Sequence, residues 1–125
     1  EFEENKQKIY VVHGSPRRPL MEYIFPGSSN QELVRLTKGV NADIIILGHT
    51  HVPLERRIMG KLIINPGSVG QPRDRNPKAS YMILKIGRNI EVENNRVEYD
   101  IDLTMEKIEE VGLPEKLATR LNFGW

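Results

Sequence analysis

Two of the three histidines in this 125-residue chain sit one residue apart, in Gly48-His49-Thr50-His51. Imidazole is the commonest metal-ligand side chain and suits zinc, iron, nickel and copper. A lone histidine in a turn is ordinarily a surface or structural residue. A pair in one tetrapeptide points to metal ligation instead. The third histidine, His13, precedes Gly14. Arginines stand nearby in sequence: Arg17 and Arg18 in Ser15-Pro16-Arg17-Arg18-Pro19, and Arg73 in Gln71-Pro72-Arg73-Asp74-Arg75. A guanidinium is shaped for bidentate contact with phosphate, so Arg17, Arg18 and Arg73 are candidate substrate contacts. The alternative for each is a solvated surface residue, and Arg73 can instead pair with Asp74 and hold its own loop. No protein nucleophile competes with a metal-based reading. The chain has no cysteine, and Gly14-Ser15-Pro16 lacks the following glycine of a nucleophile elbow.

Each histidine segment follows a short apolar run. Ile9-Tyr10-Val11-Val12 leads to His13, and Ile44-Ile45-Ile46-Leu47 leads to Gly48. Such runs, rich in β-branched residues, read as buried strands of a parallel sheet. Ligands of open α/β sheets bind beyond the carboxyl ends of the strands. A helix signal lies between the two. Ser29-Asn30-Gln31-Glu32 forms a capping box, followed by Leu33, Val34, Leu36 and Val40, with Gly39 near the end. The spacing of about 36 residues between His13 and His49 suits a strand–helix–strand unit, which needs ~30. A right-handed crossover then sets the two strands side by side and all three histidines on one rim. Gly48 is expected to provide the sharp turn that aims His49 and His51 at one point.

The rest reads as a β-rich second layer. Leu54 to Met59 and Leu62 to Ile64, about Gly60-Lys61, predict a hairpin. Ser80 to Ile86 alternates, with Tyr81 and Ile83 on one face and Met82, Leu84 and Ile86 on the other. After a turn at Gly87-Arg88-Asn89, strands are expected over Ile90 to Glu93 and Val97 to Ile101. A helix is expected from Thr104 through Val111, ended by Gly112, and Pro114 opens a last short helix with Leu117 and Leu121 inward. Phe123 and Trp125 are expected to dock on the domain. Tyr23 and Phe25 read as a small cap packed on the core, with a pocket for a base or aryl group as the alternative. Asn65-Pro66-Gly67 reads as a tight turn closing a strand.

Composition sets bounds. The formal net charge of +1 and the lack of a basic stripe argue against general nucleic-acid binding. No apolar run approaches the roughly 18 residues of a membrane span, and no signal peptide is visible. The expectation is a cytoplasmic protein that neither spans nor anchors to a membrane. With no cysteine there are no disulfides.

A strand ending in His-Gly, a helix, and a strand ending in Gly-His-x-His together resemble the second half of the calcineurin-like metallophosphoesterase superfamily. The run Ile64-Asn65-Pro66-Gly67-Ser68-Val69-Gly70-Gln71-Pro72-Arg73-Asp74 resembles its small prokaryotic-type branch. The likeness covers residues 9–102, with 103–125 as a helical tail. It implies an α/β/β/α four-layer sandwich, of which residues 1–125 form the carboxyl-terminal part, and two divalent metal ions (Mn, Ni, Zn or Fe). It also implies that His13 and His49 bind one metal and His51 the other. The family's Asp-x-His, Gly-Asp-x-x-Asp and Gly-Asn-His-Asp/Glu motifs, which precede the lone histidine, do not occur here.

That absence has a chemical consequence. Two cations a few ångströms apart need anionic ligands to offset their repulsion. Asp43 precedes its strand and belongs at the far end from His49, and nothing in the spacing of Asp74 brings it to the site. The chain is therefore expected to bind metal weakly alone and to need a complementary amino-terminal half. Without that half, the Ile9 and Ile44 strands are expected to expose apolar faces and an unpaired edge, inviting a partner or a homo-oligomer. The implied activity is hydrolysis of a phosphate ester by a metal-bound hydroxide. The alternative functions are a non-catalytic binding scaffold of the same fold and a self-contained three-histidine metal module.

Overall fold

The structure, a computed structural model, describes residues 1–125. The elements are β1 (Phe2–Glu4), β2 (Gln7–Val11), α1 (Asn30–Leu36), β3 (Ile44–Ile46), β4 (Leu54–Ile58), β5 (Lys61–Asn65), β6 (Ala79–Ile86), β7 (Ile90–Val97), α2 (Ile101–Glu110) and α3 (Glu115–Thr119). A 3-10 turn over Arg120–Asn122 closes the chain.

β3 is the middle of a five-stranded sheet of order β1-β2-β3-β5-β4. Both of its neighbours run parallel to it, with Tyr10 and Ile63 flanking Ile45. A strand so placed is covered on both faces, which suits an unbroken isoleucine run. Ile45 packs with Leu33 and Leu36 of α1 and with Ile63. Ile44 points the other way, to Ile9, Leu62 and Ile64, over which Met82, Leu84 and Val92 of the β6–β7 ribbon are laid. Helix, large sheet and ribbon thus form three stacked layers, an α/β arrangement as expected. α2 buries no residue and packs on α3 and the closing turn.

The helix signal acts as read. Ser29 Oγ accepts from Glu32 N at 3.2 Å, capping α1. The helix ends at Leu36, before Gly39. Thr37 Oγ1 donates back to Leu33 O at 2.7 Å, and Gly39 turns the chain at φ +85°.

Several expectations are corrected. A strand precedes the Ile9 run: Asn5 and Lys6, at φ 48° and 65°, make a tight hairpin that pairs Phe2 with Ile9. The edge of β2 is therefore covered over Gln7 to Ile9, and the outermost strand is the short acidic β1, a form of edge that discourages pairing. Ile9, Ile44 and Ile45 are buried, whereas Val11, past the end of β1, is 53% exposed, so the expected exposure holds only for that end of the strand. The β4–β5 turn falls on Met59-Gly60, one position earlier than read, with φ 48° and 77°. β7 runs unbroken to Val97, with Asn94 and Asn95 staying in the ladder opposite Met82 and Tyr81.

The strand expected over Val97 to Ile101 does not form. Asp100 accepts from Leu103 N at 2.9 Å and starts α2 at Ile101, ahead of Thr104. A satisfied N-cap outweighs three alternating apolar residues on an exposed segment. The helix does end at Gly112, at φ +72°. In the tail Leu121 is buried and Leu117 half-buried. Phe123 and Trp125 do not dock: they are 54% and 60% exposed and lie against each other, 5.3 Å between centroids. It is Gly124 between them that docks, its carbonyl accepting from Arg75 N at 2.9 Å. No helix is long and apolar enough to cross a membrane.

Candidate metal site at the strand tips

The parallel ladder continues past the ends of β2 and β3. Val12 N donates to Ile46 O at 3.0 Å and Gly48 N to His13 O at 2.9 Å. These bonds set His13 beside His49, with His13 Nε2 and His49 Nδ1 2.8 Å apart and the ring centroids 4.6 Å apart. Gly48 suits this approach, because a Cβ there would lie 3.3 Å from His13 O, a tight contact. It does not make the turn, contrary to expectation. The left-handed backbone falls on the histidines themselves, at φ 66° for His49 and 58° for His51. Thr50 N donates to Gly48 O at 2.8 Å, closing a rare tight turn around His49. Such a conformation costs a non-glycine residue about 1 kcal/mol and persists only where the surroundings enforce it.

Asn65 is the main enforcer. It ends β5, is fully buried, and donates from Nδ2 to Gly48 O at 2.7 Å and Thr50 Oγ1 at 2.9 Å. Its Oδ1 accepts from Gly67 N at 2.9 Å. The turn reading of Asn65-Pro66-Gly67 is thus half of its role, and the amide's hold on the histidine loop was missed. The available signal was an asparagine ending an apolar strand beside the Gly48 strand. Gly67, at φ +81°, has no room for a side chain: a Cβ would sit 2.7 Å from Ser80 Oγ.

His51 is held differently. Its Nδ1 lies 2.8 Å from Gln71 O. A carbonyl only accepts, so Nδ1 is the donor and Nε2 is the ring nitrogen left for a ligand, the arrangement by which ligating histidines are oriented. Arg73 N donates to His51 O at 3.1 Å, binding the 65–74 loop to the histidine loop.

The arginines separate. Arg17 is ion-paired to Glu22, which also accepts from the buried Ser15 hydroxyl. Arg17 and then Ser15 pull the Glu22 pKa below its ordinary value against an opposing desolvation. The Arg18 backbone N–H donates to Ser15 Oγ at 3.0 Å, leaving its guanidinium exposed. Arg73 Nη2 donates to Gln71 Oε1 at 2.9 Å rather than pairing with Asp74. Asp74 is ion-paired to Arg96, which removes it as a free carboxylate for the histidines. Asp43, as expected, lies at the far end of the sheet, accepting from Lys8 N at 2.8 Å.

Desolvation, and then the positive fields of His13, His51 and Arg73, push the His49 pKa below its ordinary value. The ring is neutral at pH 7, the form that offers a lone pair. Tyr23 stacks on it at 3.9 Å between centroids. Tyr23 and Phe25 are half exposed, and only Ile24 between them enters the core, which corrects the aromatic-cap reading.

No three His, Cys, Asp or Glu side chains come together to hold a metal ion. As donor types, the imidazoles of His13, His49 and His51 suit a divalent transition metal as part of a larger ligand set.

Imidazoles thus stand beyond the tips of β2 and β3 in a mixed sheet whose three central strands run parallel, with an antiparallel ribbon behind it. The chain belongs to the calcineurin-like phosphoesterase superfamily, whose domain matches residues 1–89. An uncharacterized protein of Methanocaldococcus jannaschii is 37% identical over 94% of the chain and 52% of its own length. A probable metallophosphoesterase of Methanothermobacter thermautotrophicus is 32% identical over 74% of the chain and 48% of its own length. The crystal structure of a metallophosphoesterase from Sphaerobacter thermophilus superposes with a TM-score of 0.85 at 38% identity, covering 95% of the chain and 57% of that structure. The chain spans about half the length of the curated relatives it matches.

Proposed function

We propose that the chain supplies the histidine side of a dinuclear metal site hydrolysing a phosphomonoester or phosphodiester, completed by a segment that brings the anionic ligands. The observation that carries this is the strand-tip geometry. His13 and His49 present facing nitrogens 2.8 Å apart, and the Gln71 carbonyl leaves His51 Nε2 free. Divalent metals in such a site neutralise phosphoryl charge and acidify a bound water. The chain's own residues do the rest. Asn65 fixes the histidine loop, His49 stays neutral, and Arg73 adds positive charge beside it where phosphate charge would be placed. Arg18 is the freer of the two loop arginines for a substrate oxygen, because Arg17 is occupied by Glu22.

The test joins this chain to the aspartate-bearing segment of a relative, then measures metal content and bis(p-nitrophenyl) phosphate hydrolysis with and without manganese. About two metals per complex and metal-dependent turnover are expected. His51→Ala should abolish turnover while leaving the fold intact. A folded, metal-loaded complex that turns over nothing would overturn the enzymatic reading in favour of a binding scaffold.

A further inference from the structure

Beside the histidines, the segment Glu22-Tyr23-Ile24-Phe25-Pro26 has an arrangement that the phosphate chemistry does not use. Ile24 is 2% exposed and anchors the segment in the core. Tyr23 and Phe25 on either side of it stay out of the core, with rings parallel to within 7° and centroids 5.9 Å apart, each about half exposed. Scattered exposed aromatics need no explanation. This pair is different because its inner member lies against His49, 3.9 Å between centroids. His49, Tyr23 and Phe25 thus form a row of flat surfaces leading outward from the candidate phosphate position.

The row is also held in place at both ends. Before it, Glu22 is bonded by Ser15 and Arg17, and its N–H donates to Arg18 O at 3.3 Å. After it, Arg56 clamps the chain, donating to Pro26 O at 3.0 Å and Asn30 Oδ1 at 2.8 Å. Rigid, exposed aromatic surface already set in its binding geometry loses little entropy when a flat ligand settles on it.

We infer that Tyr23 and Phe25 form a stacking subsite for the organic group of the substrate, and that the preferred esters carry a flat aromatic ring, a nucleobase or an aryl group, one step out from the phosphate. This rests on the phosphoesterase reading above. Phe25 is the specificity-determining residue, and Tyr23 joins it to the phosphate site.

The experiment uses the complex of this chain with its aspartate-bearing segment and bis(p-nitrophenyl) phosphate as substrate. AMP, ribose 5-phosphate and inorganic phosphate are compared as inhibitors. AMP should inhibit about tenfold or more tightly than ribose 5-phosphate, the size that one base-stacking partner contributes. Phe25→Ala should erase that ratio without altering inhibition by inorganic phosphate, and Phe25→Tyr should retain it. Equal inhibition by AMP and ribose 5-phosphate in the unaltered complex overturns the inference. So does a Phe25→Ala variant that is less stable but keeps the ratio, because the ring would then only pack against another part of the protein. Failure of the underlying reading looks different: no variant turns over. Calorimetry of AMP against ribose 5-phosphate then decides alone, and equal or absent binding overturns the subsite.

Discussion

Asn65 makes three hydrogen bonds in a space with no solvent, whereas α2 runs ten residues without burying one. The rim of the sheet and the carboxyl-terminal tail are ordered by different forces. At the rim, buried polar groups leave one arrangement, because any other strands a donor or acceptor away from water. In the tail, order comes from local devices, the Asp100 cap and the Gly112 stop, on a surface that water can always satisfy. The rim should therefore answer substitution steeply and the tail weakly.

The steepest response is expected from Asn65→Ala, which orphans Gly67 N and removes the amide donors to Gly48 O and Thr50 Oγ1 that fix the histidine loop. A loss of about 3 kcal/mol in urea unfolding would match the cost of several unsatisfied buried groups. Gly67→Ala comes next, at about 2 kcal/mol, since its backbone is left-handed and the new Cβ meets Ser80. Arg96→Ala leaves the mostly buried Asp74 unpaired and should cost about 1 kcal/mol, read from the same unfolding curves. Acid should loosen the loop after His13. Glu22 has its pKa lowered in the folded chain, so its stabilisation is complete above the ordinary value of 4.5 and fades as pH falls below it through the lowered one. Amide exchange of Gly14 and Glu22, measured at falling pH, should quicken there before the sheet opens. Trp125→Ala, in the tail, should change stability by no more than ~0.5 kcal/mol. A Trp125 effect as large as that of Asn65 would erase the contrast.

The sheet's centre was legible because β-branched runs bounded by turn residues have few other places to go, and Ile44 to Ile46 lie where that logic puts them. The rim was legible in kind, since the order of the strand tips follows from the crossover. Its particulars were not. Periodicity carries no information about an asparagine amide reaching across two strands, about the Gln71 carbonyl that orients His51, or about which residue takes the positive φ. Short polar or acidic segments also escaped. β1 is held by its turn and by backbone pairing, which leave no apolar pattern. Val97 to Ile101 alternates like a strand, yet the deciding contact is one carboxylate on one N–H.

His49 and His51 both hold a backbone shape that glycine would adopt more easily. Replacing either by glycine relaxes its turn by up to about 1 kcal/mol while deleting an imidazole. At His51 the lost bond to Gln71 O offsets that relief, whereas His49 gives up only contacts with the exposed His13 and Tyr23 rings, so a library ranked by melting temperature should gain glycine at position 49 before position 51. On the metal role proposed for His49, thermal endurance and chemistry are opposed at that one position, and breeding this domain for hardiness requires scoring both at once.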